Sequence, residues 1–524
     1  MGKLRLDFTN SLGIPVLIPE TFGQFQMNQS YLQSTTEFYI IYYGEELASL
    51  ITNFYQSDLR CTVYVNDIPI VYGFISNKTI SVDKNTGVNT KLHFRSLLGM
   101  LEKFSISPTT MFSGVETLDF IAKTVIYNDF IVHNEVLVNM YITSDVTKLS
   151  YMHTASKQTD PNILMFYGKV KTTDVQPKSS STIYAFLQKL FHRNGLHMRD
   201  GVDKLGNPMI IVTSPQASRI DIDANNKIVN LPAKVAASLF GSSDLNGRAL
   251  VSKFEEKIDN SGLNSHFIMW GQSYSSLTLS GSFTCTPNKV IAINPLFKNN
   301  PKLQSAITQA IVNYRLLIPP DEVAQMFLPD SWDQFIVKFM DRIDSSQIKP
   351  KYKQESEATT YQELSNKVCM EARMNLYNAY TLTYDLCNLG QHDDGRFVFY
   401  APDMYVSVYD YYTNLNGSIL WIDSVETNWS KQSGLTQKLT LKIPGTIVFE
   451  ESTGINSYLP PIPASIAAIP TAKIPTPEQP EWDGSVSDTN DTGIVPDVSP
   501  YRPPQNTGIT APGSSSIGAG DSSE

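Results

Sequence analysis

Residues 75–94, ISNKTISVDKNTGVNTKLHF, align without a gap on residues 422–441, IDSVETNWSKQSGLTQKLTL, at a constant offset of 347. Five positions are identical: Ile75 and Ile422, Lys84 and Lys431, Gly87 and Gly434, Lys91 and Lys438, Leu92 and Leu439. Both stretches close on G-[VL]-x-x-K-L-x-[FL] after a polar turn, and its glycine takes a positive φ with no Cβ penalty. Upstream, Gly73-Phe74-Ile75 loosely matches Leu420-Trp421-Ile422. Thr62-Val63-Tyr64-Val65 matches Tyr405-Val406-Ser407-Val408 in alternation at a shifted offset. Two explanations stand at this level: convergence of two generic hairpins, or two copies of one β domain. The second has a geometric consequence. Three such chains around an axis present six similar domains, and that ring can mate a sixfold object on one side to a threefold object on the other.

The surrounding sequence supports β structure in both places. Glu37–Tyr43 is β-branched and aromatic, Cys61–Val65 alternates, and Ile70–Ile75, Thr79–Val82 and Thr90–Arg95 follow at hairpin spacing. Tight spacing of this kind predicts an antiparallel barrel or sandwich. β character returns from Tyr380 to Phe449. Between them lie helix signals. One opens at Ser113-Gly114, with apolar residues at 115, 118, 121, 122 and 125; another runs over 180–191 behind a Ser/Thr cap and exits at Asn194-Gly195. A short hairpin is expected over Leu196–Arg199 and Met209–Thr213. Residues 301–345, including Ser331 to Met340, and residues 361–379 read as helical.

The charge distribution narrows the function classes. The net charge is -10, and residues 451–524 hold nine acidic and two basic residues and 12 of the 30 prolines. The remaining chain is therefore close to neutral, which argues against nucleic-acid binding as the main role. Segment 451–524 cannot bury enough apolar surface to fold alone. It is either a disordered tail or a strap that orders on a partner, with anchors around Leu459 to Ile462, Trp482, Ile494 and Tyr501. Cys61, Cys285, Cys369 and Cys387 contain no C-x-x-C pair and read as packed thiols of a reducing compartment. No apolar run approaches the ~18 residues of a membrane span. The start Met1-Gly2-Lys3-Leu4 lacks a signal-peptide core.

No residue set is assigned to catalysis, cofactor binding or metal binding. His192 and His197 are five apart with no Glu between them, which misses the H-E-x-x-H spacing and fits helix-end capping. His392-Asp393-Asp394-Gly395 reads as an exposed turn, and Lys349-Pro350-Lys351-Tyr352-Lys353 as a solvated, extended linker. There is no G-x-S-x-G elbow, P-loop or G-x-G-x-x-G. A pair of Glu/Asp side chains for glycoside cleavage needs only spatial proximity, so a peptidoglycan-degrading enzyme stays as an alternative.

The order of these features resembles the baseplate hub proteins of contractile phage tails, the Mu-like tail hub family, and the related hub regions of type VI secretion spike proteins. The likeness rests on the segment CTVYVNDIPIVYGFISNKTI (61–80), the element Lys91 to Leu101, the helix motif Thr117-Leu118-Asp119-Phe120-Ile121-Ala122, and Ala185 to Phe191 leading to Gly195-Leu196-His197-Met198. It continues with Asn264 to Gln272, taken as the strand that opens the second barrel, and with segments 361–379 and 380–449. The resemblance covers about 1–275 and 360–450; residues 276–360 and the acidic tail depart from it.

The resemblance implies a mainly β fold with α/β insertions, built on two similar antiparallel β-barrel domains. The expected domains are a tube-docking barrel over 1–113, a small α/β domain over 114–235 and a second barrel from 236–275 and 380–450. A mainly helical insertion over 276–379 and an extended tail over 451–524 complete the chain. It further implies a homotrimer at the tail baseplate, with the tail tube protein above and the central spike below. Neighbouring baseplate or wedge proteins would be reached through the C-terminal tail. DNA would pass through the channel without specific binding, with no cofactor and no membrane insertion. A hub of a non-contractile tail or a secretion spike fits the same features.

Overall fold

A computed structural model describes residues 3–447, with the exception of 19–21, 34, 45–57, 85–86, 113–114, 133–138, 143–168, 172–175, 178–180, 193–196, 203–204, 214–219, 223–227, 231–234, 242–250, 272–288, 298–299, 304, 307–308, 310–323, 326–345, 356–360, 387–397 and 445. The Pro-rich segment 451–524, the expected helix at 331–340 and the His392 turn lie outside the described residues.

Strands β1 (Leu4–Thr9), β2 (Gln24–Ser30), β3 (Glu37–Tyr43), β4 (Arg60–Val65), β5 (Ile68–Asp83) and β6 (Gly87–Arg95) pair antiparallel in the spatial order β1-β4-β5-β6-β3-β2. Alternation puts one face inward. Phe25, Met27, Phe38, Ile40, Cys61, Val63, Leu92 and Phe94 are buried in one cluster. Phe8 of β1 meets Phe94 of β6 with ring centroids 6.2 Å apart, so the six strands curl over their own core. Gly73 is needed there, because a Cβ at this position would sit 2.4 Å from the Phe38 ring.

A small α/β layer follows: α1 (Leu97–Leu101), β7 (Val115–Thr117), α2 (Leu118–Ile126) running into a π turn over Tyr127–Ile131, β8 (Asn139–Ile142), β9 (Lys169–Lys171), α3 (Ile183–His192), β10 (His197–Val202) and β11 (Pro208–Thr213). The sheet order is β10-β11-β8, and β7 pairs β9. Leu118, Ile121, Ala122, Val125, Ile183, Leu187 and Leu190 pack the helices onto Met198, Ile210 and Val212. Helix α2 begins at Leu118 rather than near Ser113, because Val115–Thr117 is drawn into a strand with Lys169–Lys171. Strands β12 (Ile220–Ile222) and β13 (Ile228–Asn230) form a short hairpin.

The second half adds β14 (Val235–Phe240), β15 (Val251–Ile258), β16 (His266–Gly271), β17 (Lys289–Ile293), β18 (Ala324–Gln325), β19 (Pro350–Glu355), α4 (Tyr361–Ala379), β20 (Tyr380–Leu386), β21 (Tyr405–Asp410), β22 (Leu415–Ser430) and β23 (Gly434–Lys442). The large sheet continues as β2-β22-β23-β20-β15, with β21 on β22 and β14 on β21. A second core, including Leu239, Val251, Leu382, Tyr384, Val406, Val408, Leu420, Ile422, Leu439 and Leu441, lies inside these strands. The fold is therefore mainly antiparallel β with α/β insertions. The two β copies share one 12-stranded sheet, and strand pairing closes neither copy into a separate barrel among the described residues.

Two expectations change. Asn264 to Gly271 does not open the second copy; β16 pairs with β17 and β19 in a separate four-stranded sheet. That sheet is covered by α4 through Leu364, Val368, Ala372 and Leu376, spaced one turn apart, so strands β17, β18 and β19 stand beside the helical residues of the inserted region. Lys349–Lys353 is not a linker either. Pro350 starts β19, where a missing N–H is tolerated, and Lys351 and Lys353 both bind Glu371 of α4.

Candidate assembly interface

The internal repeat is a repeat of structure. Strands β4, β5 and β6 span 6, 16 and 9 residues, and β21, β22 and β23 span 6, 16 and 9. A bulge between Ile75 and Asn77 in the β5–β6 pair recurs between Ile422 and Ser424 in the β22–β23 pair, at the offset of 347. The extra residues are Ser76 and Asp423. The turn glycines Gly87 and Gly434 have φ of 73° and 66°. A second bulge leaves Ile70 and Gly417 unpaired at the same offset. Bulges bend a strand and raise its twist locally, so two in matching places give the hairpins matching curvature.

The correspondence extends where the sequence shows little. Phe38, Ile40 and Ile41 face Phe94, Leu92 and Lys91; Leu382, Tyr384 and Asp385 face Leu441, Leu439 and Lys438. Thus β20 is the counterpart of β3. Likewise Phe25 faces Ile40 while Phe254 faces Tyr384, making β15 the counterpart of β2. The insertion of β16–β19 and α4 between β15 and β20 breaks the offset, which hides these matches from a gap-free comparison. The register also corrects the upstream alignment: Val63 and Val408, not Val63 and Val406, stand at equivalent bulges. The shift is two residues, so alternation survived it.

The copies meet where β2 pairs antiparallel with the far half of β22, from Gln24 opposite Ser430 to Ser30 opposite Ser424. Phe22 packs on Trp429 at 4.5 Å, and buried Tyr31 meets buried Trp421 edge-on at 5.1 Å. The Tyr31 N–H donates to the Asp423 carbonyl at the bulge, 2.8 Å away. The Trp421 indole N–H donates to Asp403 Oδ1 at 2.9 Å.

The α/β layer is tied to the same place. The buried His197 Nε2 donates to the Tyr31 carbonyl at 2.6 Å, and His192 Nε2 lies 3.0 Å from His197 Nδ1 with the rings stacked. Burial lowers both imidazoles, to about 4 for His192 and about 3 for His197, so both are neutral. This pair is a structural clamp between β10 and the copy junction. Nearby, Asp200 accepts from the Thr36 and Leu98 N–H groups, each at 3.0 Å, and from the Ser96 hydroxyl. It supplies from a distant strand the acceptor for the first turn of α1. Burial pushes its carboxyl up to about 6 against those three donors.

No group of three or more His, Cys, Asp or Glu side chains is placed to hold a metal among the described residues. Cys61 is buried in the first core, where burial pushes its thiol up and makes it a poor nucleophile. No helix among the described residues is long and apolar enough to cross a membrane. Exposed apolar side chains gather instead at the β1–β2 connection, where Leu12 and Leu17 line, with Leu205, a groove of about 770 Å³. Others lie at the β21–β22 turn, Tyr411 and Tyr412, and on the outer half of β5, Ile80 and Val82.

No protein-family profile matches the chain. No curated protein matches it either. Solved structures do. The 43 kDa tail protein of prophage MuSo2 from Shewanella oneidensis matches with a TM-score of 0.52 at 13% identity, over 85% of this chain and 99% of that one. A tail protein from Neisseria meningitidis matches with a TM-score of 0.49 at 13% identity, over 84% and 97% of the two chains. An E. coli component of the type VI secretion system, with structural similarity to bacteriophage T4 tail proteins, matches with a TM-score of 0.38 at 9% identity, over 87% and 80%. The structural neighbours are thus phage tail proteins and type VI spike-hub proteins, and the chain has the fold of the prophage tail protein.

Proposed function

We propose that this chain is a structural hub of a contractile phage-type tail. Three chains form a ring whose six β copies mate the sixfold tail tube on one side and the threefold central spike on the other. DNA passes through the middle during genome ejection. One observation carries the reading: two β copies with matching strand lengths, bulges and turn glycines lie side by side in one sheet. A pseudo-sixfold ring from three polypeptides needs such copies. The fold of the prophage tail protein supports the same assignment.

The work is mechanical, not catalytic. Large complementary surfaces hold tube and spike together through sheath contraction. The protein acts in the virion, at the baseplate, after assembly in the host cytoplasm. The first copy, 1–113, is assigned to the tube, and segment 451–524 to neighbouring baseplate or wedge subunits, where it orders on binding.

Native mass spectrometry of the full chain with its tube and spike partners tests this. Three copies per complex are expected; one, two or six would overturn the symmetry-adaptor role. Deleting 451–524 is expected to leave the ring intact and to reduce baseplate incorporation. Unchanged incorporation removes the tail assignment alone.

A further inference from the structure

The two copies differ at one turn. In the first, β4 and β5 close on two residues, Asn66 and Asp67, between Val65 and its partner Ile68. In the second, β21 and β22 close on four, Tyr411 to Asn414, between Asp410 and its partner Leu415. The added residues account for the two-residue shift between the match of Val63 with Val408 and that of Ile75 with Ile422. The longer turn is ordered. The buried Asp410 carboxylate accepts from the Tyr384 hydroxyl at 2.7 Å and from the Tyr412 N–H at 3.0 Å. The Asn414 N–H donates to the Tyr411 carbonyl at 3.1 Å, and Asn414 takes a φ of 50°. Tyr412 stacks beside Phe254, and Tyr411 meets Tyr412 edge-on, each with ring centroids 5.9 Å apart. Tyr411 is 82% and Tyr412 65% exposed. Tyrosine offers a large, stiff contact area and gathers at the energetic centres of protein interfaces.

Strand sense fixes where this turn stands. Along β5-β6-β3-β2-β22 every pair is antiparallel, so β5 and β22 run in the same sense. Their matching tips, Asp83 opposite Gly87 and Ser430 opposite Gly434, therefore lie at one end of the sheet. Each chain has two such tips, so a ring of three has six. The starts of β5 and β22 lie at the other end, up to about 50 Å away along 16 residues. What the chain carries once is attached there. The α/β core packs on Tyr72 and Phe74, in the first half of β5. The four-stranded sheet and α4 leave the large sheet after Ile258 and rejoin it at Tyr380, and these two residues face each other. Lys442, opposite Trp421, donates from Nζ to the Tyr377 carbonyl of α4 at 3.1 Å. The tyrosine turn is a third such feature. A ring of three carries it three times, at the end where the sixfold likeness is broken.

We propose that the Tyr411–Tyr412 turn is the element by which each chain grips a threefold-symmetric protein partner, the central spike. Rotation about the ring axis keeps height, so three turns stand level and present their tyrosines to one face. A trimeric partner offers three equal pockets and seats all three turns at once, which multiplies the strength of each contact. A sixfold partner would leave every second pocket empty. The tips at the other end suit that second kind of partner, because both copies display them alike, with Lys84 and Lys431 exposed at equivalent places. The shorter turn of the first copy is spent within the chain: Asn66 Oδ1 accepts from the Lys3 N–H at 2.8 Å, and Asp67 pairs with Arg5 at 2.8 Å. The proposal rests on the hub reading for the ring of three, and adds to it which end, and which side chains, meet the spike.

Photo-crosslinking in the complex of the full chain with its tube and spike partners tests this. Tyr411→p-benzoylphenylalanine reports the turn, and Lys431→p-benzoylphenylalanine reports the opposite end. The linked protein is identified by mass, and its own oligomeric state and that of the hub ring are read by native mass spectrometry. Position 411 is expected to link to a trimer. A link from position 411 to the sixfold tube protein or to a second copy of this chain, or no link from it in complexes that assemble, overturns the proposal. Tyr411→Ser with Tyr412→Ser changes two exposed side chains, so the urea midpoint and the ring are expected to stay as in the wild type. Affinity for the spike trimer is expected to fall about 30-fold or more, and a fall of less than about threefold overturns the proposal. A ring of three with position 411 linked elsewhere overturns the docking turn and leaves the hub reading standing. A link to a trimer from a ring of another size upholds the docking turn and overturns the hub reading.

Discussion

The two β copies have nearly the same hairpins and different surroundings. In the first, β1 runs antiparallel to β4; in the second, β14 runs parallel to β21. In the first, the strand before the hairpins, β3, follows β2 after a short connection. In the second, β15 and β20 are separated by a four-stranded sheet and α4. The conserved part is the pair of long bulged strands, and the divergent part is everything reached by a connection. A bulged hairpin is defined by its own turn and register, so it holds its shape in both settings. Flanking strands take whatever direction the chain path allows. Equivalent positions also meet different neighbours. Phe74 faces the α/β core, 6.3 Å from Phe130, while its counterpart Trp421 lies against Tyr31 at the copy junction.

That contrast can be broken most severely at its centre. Trp421→Ala and Phe74→Ala each empty a fully packed aromatic site and are expected to cost about 3–5 kcal/mol by urea denaturation. The Trp421 variant alone is expected to loosen the β2–β22 junction, read as faster amide exchange over 24–30. Equal exchange in both variants would deny that the junction depends on Trp421.

Next comes Asp200. Replacing it with Ala leaves the Leu98 N–H and the Ser96 hydroxyl without their acceptor, while the Thr36 N–H keeps Ser96 Oγ, and is expected to cost about 2–4 kcal/mol. Protease cleavage should then rise first in the α/β layer and not in the second copy.

Acid sharpens the comparison further. His192, His197 and His266 are held neutral by burial, at about 4, 3 and 4, below the ordinary imidazole value of 6.5. Unfolding takes up protons on them between about pH 4 and 6.5, so their part of the stability is present above 6.5 and lost as pH falls. Asp200, raised to about 6, works the other way: its part is fullest below 3.8 and is lost as pH rises through 6. His93 is lowered by burial like these three, and Glu102 and Asp423 are raised by burial like Asp200, so four imidazoles stand against three carboxyls and the chain is expected to be less stable at pH 5 than at pH 7, by about 1.4 kcal/mol per pH unit for each net proton. A urea midpoint that is flat between those values would refute the count. His192→Gln should reduce the slope.

The smallest effects test equivalence itself. Gly87→Ala and Gly434→Ala are each expected to cost about 1 kcal/mol, because both turns hold positive φ. A difference larger than the first value would mean the hairpins are not equivalent in energy.

Much of this was legible without coordinates. The period-two runs at Glu37–Tyr43 and Cys61–Val65 became β3 and β4 because alternation depends only on neighbours along the chain. The hairpin repeat was readable because its turn glycine and its K-L pair are local. Helix α3 was readable from its apolar spacing and Ser/Thr start. The histidine clamp was not. His197 reaches Tyr31 across 166 positions, and Asp200 reaches Leu98 across 102, and no local pattern encodes such meetings. β16 was assigned to the wrong sheet because a buried strand such as His266–Gly271, apolar on both faces, carries no mark of which partner it takes.

The sequence by itself determined the two bulged hairpins, their turns and the inward stripe of each strand, since these follow from φ preferences and burial within a few residues. Only the tertiary structure decided that β2 crosses into the second copy and that β15 and β20 join the same sheet across the insertion. That choice depends on which edge lies within reach once both cores have closed, and reach in space is a property of the folded chain rather than of any segment of it.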